Sequence, residues 1–172
     1  MSDEEIKIHR GLNNVYFDRT KTTYINGKEG VLEYRGYNIH DLSEKSSFEE
    51  VSYLLLYGKL PTKNELGAFN SSLKESRKIP SQVIDIIKSI KDSHPMDVLR
   101  TAVSALSTFD EEASDKSYDA TMRKGIRLTS QVPTIVMAHN SIRNGKDPVE
   151  PSKELSHAAN FIYMLDGKIP SD

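Results

Sequence analysis

The chain has 172 residues, of which 37% are hydrophobic and 28% charged, a composition typical of a globular domain with a packed core. Its formal net charge of -2 argues against a protein that binds nucleic acid through a strongly basic surface. The absence of cysteine excludes disulfide bonds, thiolate nucleophiles and zinc sites with cysteine ligands.

The N-terminal residues and the hydropathy pattern predict a cytoplasmic protein. Residues 1–10, MSDEEIKIHR, are acidic and lack the apolar stretch of a secretory signal peptide. No apolar run reaches the roughly 18 residues that would predict a membrane span. We therefore expect a chain that stays in the cytoplasm.

Residues 21–37 are the part of the chain that predicts β-structure. Tyr24-Ile25 and Val31-Leu32 flank the sequence NGKEG, in which Asn26-Gly27 is a strong hairpin signal. We predict two short strands and no others, and such a ribbon needs support from helices. The predicted organisation is an N-terminal segment at 1–20, a β-ribbon at 21–37 and a helical part at 38–172.

Capping boxes predict the first helices, which we expect from residue 39 onward. Ser47 with Glu50 begins a helix that runs to Gly58, and Thr62 with Glu65 begins the next one. The first of these two carries apolar residues over most of its circumference, so we expect it to be deeply buried. The second is more amphipathic and more exposed. After Pro80, one apolar face marks another helix: Val83, Ile84, Ile87 and Ile90.

HPMDVLRTAVSALSTF predicts a helix with Pro95 in its first turn. Its wide apolar stripe is interspersed with small residues and comprises Val98, Leu99, Ala102, Val103, Leu106 and Phe109. A long helical pattern then runs from about Ala120 to Arg143. Its apolar stripe comprises Leu128, Val132, Ile135, Val136, His139 and Ile142. Pro133 lies inside this pattern and should kink the helix or divide it into two.

The last predicted helix begins at a Ser152 cap and ends at Gly167, a residue suited to a helix C-terminus. One helical face is apolar and comprises Leu155, Ala158, Ala159, Ile162 and Leu165. His157 lies off this face, so we expect it to be exposed. The predicted fold class is all-α with a small N-terminal β-hairpin.

The histidines do not form a recognisable catalytic or metal-binding pattern. His9 has no partner that the sequence identifies. His40 could act as an acid or base that the adjacent Asp41 orients, but its position at the start of a helix favours a capping role. His94 precedes Pro95 and is interpreted as a helix-entry residue. His139 lies on an apolar stripe, where a core or interface histidine is favoured over a catalytic one.

Other chemical signals are equally sparse. The sequence has no glycine-rich phosphate-binding motif and no HExxH-type metal motif. Arg35 lies among aromatic residues of the predicted ribbon and could bind a carboxylate ligand, but pairing with an acidic neighbour is favoured. The motifs therefore assign no catalytic, cofactor-binding or metal-binding residue.

Several blocks of the sequence resemble the citrate synthase family, in particular its shorter archaeal and bacterial type, which includes 2-methylcitrate synthases. INGKEGVLEYRGY begins at Ile25, and SFEEVSYLLLYGKLP ends at Pro61. HPMDVLRTAVSAL, PTIVMAHNSIRNGKDPVEP and ANFIYMLDGKIPS resemble further family blocks in the same order. The resemblance is collinear over nearly the whole chain.

This resemblance implies both a fold and a reaction. The fold is the N-terminal half of the family's multi-helical large domain. The reaction condenses acetyl-CoA with oxaloacetate and water to citrate and CoA, at the entry to the tricarboxylic acid cycle. Acetyl-CoA is a substrate there, so no cofactor is implied. The family's catalytic histidines and aspartate lie in segments with His-Gly-Gly and Gly-His-Arg motifs, which this sequence lacks. No catalytic residue is therefore transferred, and we expect the 172-residue chain alone to be an inactive acyltransferase fragment.

The resemblance also implies a homodimer that forms through the helices near His94–Phe109 and Ala120–Arg143. Two alternatives stay open: a 2-methylcitrate synthase that uses propionyl-CoA, and a non-catalytic dimerisation module derived from the family. The acyl-CoA preference and the regulation depend on segments outside this sequence. The isolated chain should leave apolar stripes such as Val98–Phe109 partly uncovered, and we expect it to self-associate.

Overall fold

A computed structural model describes residues 10–12, 15–16 and 18–171 of the chain. Within these residues, three short strands form an antiparallel sheet in the order β1 (Thr23–Asn26), β2 (Val31–Tyr34) and β3 (Tyr37–Asn38). The helices that follow are α1 (Ile39–Lys45), α2 (Phe48–Tyr57), α3 (Lys63–Glu75), α4 (Ser81–Ser89), α5 (Pro95–Leu106), α6 (Tyr118–Arg143) and α7 (His157–Asp166). Short 3-10 turns lie at Arg10–Leu12 and Ser107–Phe109. The predicted class, all-α with a small N-terminal β element, is confirmed.

The prediction of only two strands is wrong, because β3 is a two-residue strand that pairs with β2. Tyr34 pairs with Tyr37, so Arg35 and Gly36 form the turn between these strands. Both turn residues have positive φ angles, 52° and 86°, as a type I′ hairpin turn requires. Gly36 is the one local signal that could have revealed this turn.

Both predicted capping boxes are present. The Oγ of Ser47 accepts the backbone N–H of Glu50 at 3.2 Å, and Oε2 of Glu50 accepts the N–H of Ser47 at 2.7 Å. Thr62 and Glu65 make the equivalent pair of bonds at the start of α3. The expected deep burial of α2 is wrong, since Phe48 is 51% exposed. Its principal contacts are with α3 and α7, which cover only part of its circumference.

The hydrophobic core is centred on α6, which α3, α4, α5 and α7 all contact. The larger cluster joins the segment before α4, α4 itself, α5 and α6, and its buried members are Ile79, Val83, Ile87, Val98, Ala102, Leu106, Ile135, Ala138 and Ile142. A smaller cluster joins α2 and α3 through Tyr53, Phe69 and Leu73, with Ile126 of α6 packed against it. Burial of these side chains is the main force that holds the helices together.

The long helix α6 differs from its prediction in two respects. It runs as one helix through Pro133, although proline removes a backbone hydrogen bond, so the alternative of two separate helices is wrong. Its buried face also coincides only in part with the predicted stripe, of which Ile135, His139 and Ile142 are buried. Leu128 and Val136 are 40% and 37% exposed, whereas small polar residues such as Ser130 and Thr134 are buried. These hydroxyls are accommodated because each donates a hydrogen bond to a backbone carbonyl oxygen.

Alanine substitution of Gly125 tests how closely α2 packs on α6, and the same substitution of Gly67 in α3 is the control. A Cβ added at Gly67 of α3 would meet no atom within 4 Å, whereas one added at Gly125 of α6 would lie 3.1 Å from Cδ2 of Leu56. Gly67→Ala should raise the free energy of unfolding by about 0.5–1 kcal/mol, because alanine loses less conformational entropy in a helix. Gly125→Ala should give no such gain, because Leu56 would have to move. Urea denaturation of both variants checks this, and equal gains would contradict the close approach.

The N-cap of the last helix, α7, lies four residues later than predicted. Ser156 is the cap, and its Oγ accepts the N–H of Ala159 at 3.3 Å. Ser152 instead donates its backbone N–H to Oδ1 of Asn160 at 2.8 Å. The predicted end at Gly167 is confirmed, and this glycine has a left-handed φ of 77°. The expected exposure of His157 is wrong, since this residue is buried with only 7% of its surface accessible.

Candidate functional site

The histidines that the sequence singled out are engaged in local structure. His94 caps α5 as predicted, and its Nδ1 accepts the backbone N–H of Met96 at 3.3 Å. His139 is buried in α6, and its Nε2 lies 3.0 Å from the carbonyl oxygen of Lys91, which requires this nitrogen to be the donor. The prediction of a satisfied core histidine is confirmed. His9 lies outside the described residues.

The neighbouring pair His40 and Asp41 does not form an acid–base dyad. Both residues are exposed in the first turn of α1, and the carboxylate of Asp41 binds Nζ of Lys45 at 2.6 Å. The predicted capping role of His40 is wrong, because Asn38 is the cap and accepts the backbone N–H of His40 at 2.9 Å. The sequence did contain a signal for this cap, since Asn38 precedes the helix and asparagine is a preferred N-cap residue.

Arg35 connects the sheet to α2. Its Nη2 donates to the carbonyl oxygen of Leu55 at 2.9 Å, close to the C-terminus of the helix. The predicted pairing with an acidic neighbour is therefore wrong for the contacts that the structure describes. A cation is stabilised at a helix C-terminus by the last carbonyl groups, which carry partial negative charge. Arg35 thus serves to attach the ribbon to the helices.

A buried polar cluster fixes α7 against α2 and against the segment after α3. We define it as Glu49, Arg77, His157 and Asn160, all of which are buried. Oε1 of Glu49 accepts the backbone N–H of His157, the first residue of α7, at 2.8 Å. Arg77 donates from Nη1 to the carbonyl oxygen of Ser152. The ring of His157 also stacks on Phe48 of α2, with ring centroids 4.5 Å apart.

The electrostatics of this polar cluster favour an uncharged imidazole. Burial and, to a smaller extent, the guanidinium of Arg77 lower the pKa of His157, while the carboxylate of Glu49 opposes them. Burial also lowers the pKa of Arg77, and Glu49 again opposes the shift. Nδ1 of His157 and Nε of Arg77 are buried and have no hydrogen-bond partner among the described residues. The polar cluster therefore has a structural role, which is to hold α7 and the segment before it against the rest of the fold.

The lowered pKa of His157 predicts a loss of stability in acid. The unfolded chain takes up this proton near the ordinary histidine pKa of about 6.5, whereas the folded chain takes it up only at lower pH. The free energy of unfolding should therefore fall as the pH falls from 7 towards 5. His157→Gln should show a shallower fall, and His40→Gln, at an exposed site, should match the unaltered chain. Urea denaturation over a pH series tests this, and identical slopes for the two variants would contradict it.

A cavity of about 500 Å³ lies between α6, the end of α5 and the loop that joins them. Its apolar walls include Val103, Leu106, Phe109 and Leu128. Three charged residues of its lining pair with one another, because Arg127 binds Asp110 and Glu112, both at 2.8 Å. Arg123, which lies outside the lining, also pairs with Glu112. The two arginines lower the pKa of Glu112 to about 2. A carboxylate with so low a pKa is a poor general base near neutral pH, so this network holds the loop against α6.

Among other places in the described part of the chain, apolar side chains are exposed on two helical surfaces. The first, which we call the α5–α6 surface, comprises Met96, Leu99 and Val136 around a cavity of about 140 Å³. The second, which we call the α7 surface, comprises Ala158, Ile162, Leu165 and Ile169. Met96 and Ile162 are 62% and 50% exposed. Contiguous exposed apolar residues indicate interaction with other protein surfaces.

A metal-binding cluster and a membrane-spanning helix are both absent from the part of the chain that the structure describes. In residues 10–12, 15–16 and 18–171, no group of three histidine, aspartate or glutamate side chains is placed to hold a metal ion. Across the same ranges, no helix combines the length and the apolar character that crossing a lipid bilayer would need.

Comparison with known proteins gives one consistent family. The family profile described as "Citrate synthase, C-terminal domain" matches residues 11–172. A citrate synthase of Deinococcus radiodurans is 45% identical over 165 residues, which cover 95% of this chain and 44% of the relative. The 2-methylcitrate synthase 1 of Corynebacterium glutamicum is 38% identical over 168 residues, 97% of this chain and 44% of the relative. The crystal structure of citrate synthase from Pyrobaculum aerophilum matches with a TM-score of 0.90 and 36% identity, over 95% of this chain and 43% of that one. The chain thus spans less than half the length of these relatives.

Proposed function

Because the chain belongs to the citrate synthase family, we propose that it is the N-terminal part of a citrate synthase and that the complete chain condenses acetyl-CoA with oxaloacetate and water to citrate and CoA. The observation that carries this proposal is the joint likeness of sequence and fold. One citrate synthase is 45% identical in sequence over 95% of the chain. Another matches the fold with a TM-score of 0.90, also over 95% of the chain.

The proposed reaction requires a base and several hydrogen-bond donors. A base must remove a methyl proton from the thioester, and hydrogen-bond donors must stabilise the enolate oxygen and polarise the ketone of oxaloacetate. The enolate carbon attacks the ketone carbon of oxaloacetate, the former ketone oxygen takes up a proton, and water hydrolyses the resulting citryl thioester and releases the CoA thiol. His94 and His139 are already bonded to backbone atoms of their own fold. These engagements support a scaffold role for this chain, with the acid–base residues elsewhere in the complete enzyme.

The proposal is tested on the natural protein, isolated from its source with an antibody against this chain. Its intact mass gives the full length, and release of the CoA thiol is followed with acetyl-CoA in the presence and absence of oxaloacetate. Thiol release that depends on oxaloacetate supports the proposal. A natural protein that turns over neither acetyl-CoA nor propionyl-CoA would support the non-catalytic module instead.

A second candidate, a 2-methylcitrate synthase, is favoured by the 38% identity with the enzyme of Corynebacterium glutamicum. The two candidates differ in one methyl group of the acyl-CoA substrate, and pockets discriminate a methylene group by about 1–3 kcal/mol. Comparing kcat/KM for acetyl-CoA and propionyl-CoA with the natural protein therefore separates them. A preference for propionyl-CoA would replace the first proposal by the second.

We also propose that a second copy of the chain packs on the α5–α6 surface to form a homodimer. Met96 and Val136 are exposed there at 62% and 37%, beside a small apolar cavity into which an apolar side chain could fit. Val136→Asp should convert the dimer to a monomer in sedimentation equilibrium, because an unpaired charge in an apolar interface is costly. Ile162→Asp, on the α7 surface, is the matched control. A Val136→Asp chain that stays dimeric would contradict this interface.

A further inference from the structure

Two asparagine–glycine pairs occur in the chain, and both stand in nearly the same local sequence. Asn26 begins the sequence NGKE, and Asn144 begins NGKD. In such a pair, the backbone nitrogen of glycine can attack the side-chain carbonyl carbon of asparagine, because glycine has no Cβ that obstructs the approach. The two sites are therefore chemically equivalent in sequence, and any difference in their reactivity must come from the fold.

The side chain of Asn26 is held by the hairpin turn that follows β1. Its Oδ1 accepts the backbone N–H groups of Lys28 and Glu29, at 3.2 Å and 3.3 Å. Its Nδ2 donates to Oε2 of Glu29 at 2.8 Å. The side-chain amide is thus fixed with its oxygen towards two backbone donors. Such donors polarise the carbonyl group and stabilise the negative charge that develops on the oxygen when a nucleophile attacks the carbon.

The nucleophile beside this amide is the backbone nitrogen of Gly27. Among the backbone hydrogen bonds of the described residues, none has the N–H of Gly27 as its donor. The turn is exposed at Gly27, Lys28 and Glu29, so water reaches the reacting groups. Nucleophile, carbonyl carbon and stabilising donors lie within four consecutive residues, which removes most of the entropic cost of bringing them together.

Asn144 lies at the C-terminal end of α6, where the same groups are engaged differently. The N–H of Gly145 donates to the carbonyl oxygen of Ile142 at 3.0 Å, so this nitrogen is already bonded. Nδ2 of Asn144 donates to the carbonyl oxygen of Asn140 at 2.8 Å, and its Oδ1 accepts no hydrogen bond in the part of the chain that the structure describes. An attack at this site would break the hydrogen bonds that end the helix.

We propose that Asn26 is a site of spontaneous covalent modification, at which the hairpin turn promotes conversion of asparagine to aspartate and isoaspartate through a succinimide. The nitrogen of Gly27 forms a bond to Cγ of Asn26 and loses its proton to water. The bond from Cγ to Nδ2 breaks, and Nδ2 takes up protons from water and leaves as ammonia. Water then opens the succinimide ring at one of its two carbonyl carbons, which gives aspartate or isoaspartate. This inference does not depend on the proposed enzymatic activity.

The modification changes the ribbon in which it occurs. Both products carry a new carboxylate beside Glu29, in place of the amide that donates to it at 2.8 Å. Like charges this close together repel each other. Isoaspartate also lengthens the backbone by one methylene group at the residue that pairs with Val31, which disturbs the pairing of β1 with β2. The conversion of Asn26 therefore weakens the hairpin.

Peptide mapping by mass spectrometry tests the proposal on the natural protein, isolated as for the activity assay. The protein is incubated at neutral pH in water enriched in heavy oxygen, so that incorporated label marks conversion during the incubation. It is then digested in ordinary water at mildly acidic pH, where the reaction is slow. In the folded protein, Asn26 should convert at least about tenfold faster than Asn144. In urea, the two rates should agree within about twofold, because only the local sequence then acts. Equal rates in the folded protein would overturn the proposal, as would faster conversion of Asn144.

Gly27→Ala in the complete protein tests the nucleophile. A Cβ added at position 27 would meet no atom within 4 Å, so the fold has room for it. The added methyl group obstructs the backbone nitrogen, and conversion of Asn26 should slow at least about tenfold both in the folded protein and in urea. An unchanged rate would show that the nitrogen of Gly27 does not attack and would overturn the proposal.

Glu29 is a positioning residue, and its variants separate the effect of the fold from that of the sequence. Glu29→Ala removes the acceptor that holds Nδ2 of Asn26, so conversion should slow in the folded protein and stay unchanged in urea. Glu29→Gln keeps an oxygen that accepts this hydrogen bond and should restore the rate. Asp147→Ala, at the equivalent position after Asn144, is the matched control and should change neither site. Conversion of Asn26 in folded Glu29→Ala protein at the unaltered rate or faster would overturn the proposed role of the turn.

Discussion

Glu49→Ala is expected to lower the free energy of unfolding by about 3 kcal/mol, which would make it one of the most damaging single substitutions in the chain. Glu49 is buried, and its Oε1 accepts the N–H of His157 at 2.8 Å. Without this carboxylate, the N-terminus of α7 loses an acceptor. The buried guanidinium of Arg77 also loses the negative charge that favours its protonated form. Both losses leave buried polar groups without compensation.

The matched control is Glu44→Ala, which removes the same side chain from an exposed position in α1. Its effect should stay within about 0.5 kcal/mol, as is usual for surface substitutions. Glu49→Gln separates the two contributions, because an amide oxygen can still accept the hydrogen bond while the charge is lost. Guanidinium denaturation of the three variants provides the measurement. A Glu49→Ala chain as stable as the Glu44→Ala chain would show that the polar cluster does not hold α7.

Ile135→Ala should cost about 3–4 kcal/mol, whereas Val136→Ala, one residue further along α6, should cost less than about 1 kcal/mol. Ile135 is completely buried among the side chains of α4 and α5, and truncating it leaves a cavity that the close-packed core cannot fully fill. Val136 is 37% exposed, so its truncation removes little buried surface from the monomer. The sequence places both residues on the same predicted stripe, and only their packing separates them.

Denaturant unfolding at low protein concentration measures this difference, since self-association would add stability that depends on concentration. Repeating the series at high concentration adds a second readout. The proposed contact of a second copy with the α5–α6 surface predicts that the cost of Val136→Ala grows with concentration. Equal costs for the two substitutions at low concentration would contradict the observed orientation of α6.

Local signals predicted the beginning of several elements well. The capping boxes of Ser47 with Glu50 and of Thr62 with Glu65 are both present, and His94 caps α5. Such contacts join atoms only two or three residues apart, so the sequence contains all the information that forms them. The prediction failed for the cap of α7, which is Ser156 and not Ser152. The backbone N–H of Ser152 binds Oδ1 of Asn160, eight residues further along, and Oγ of Ser156 accepts the N–H of Ala159 instead.

The candidate site was predictable only in part. The resemblance of several sequence blocks to citrate synthases led to the family that the comparisons show. The buried polar cluster, in contrast, had no sequence signal, because Glu49 and His157 are separated by 108 residues and each looks like an ordinary helical surface residue. An argument from sequence periodicity assigns histidine and glutamate to the exposed face because they are polar. Such a residue can nevertheless be buried when a buried partner forms a hydrogen bond with it.

The sequence by itself determined the all-α class, most helix limits and the family, because these follow from local capping, from apolar periodicity and from blocks of residues in a fixed order. Only the tertiary structure decided which face of α6 and α7 is buried. Periodicity locates an apolar face but does not say which partner covers it. In α7, the bonds of Glu49 and Asn160 turn the polar side inward, and Ile162 and Leu165 remain outside. The free energy of those long-range bonds depends on residues that meet only after the chain has folded.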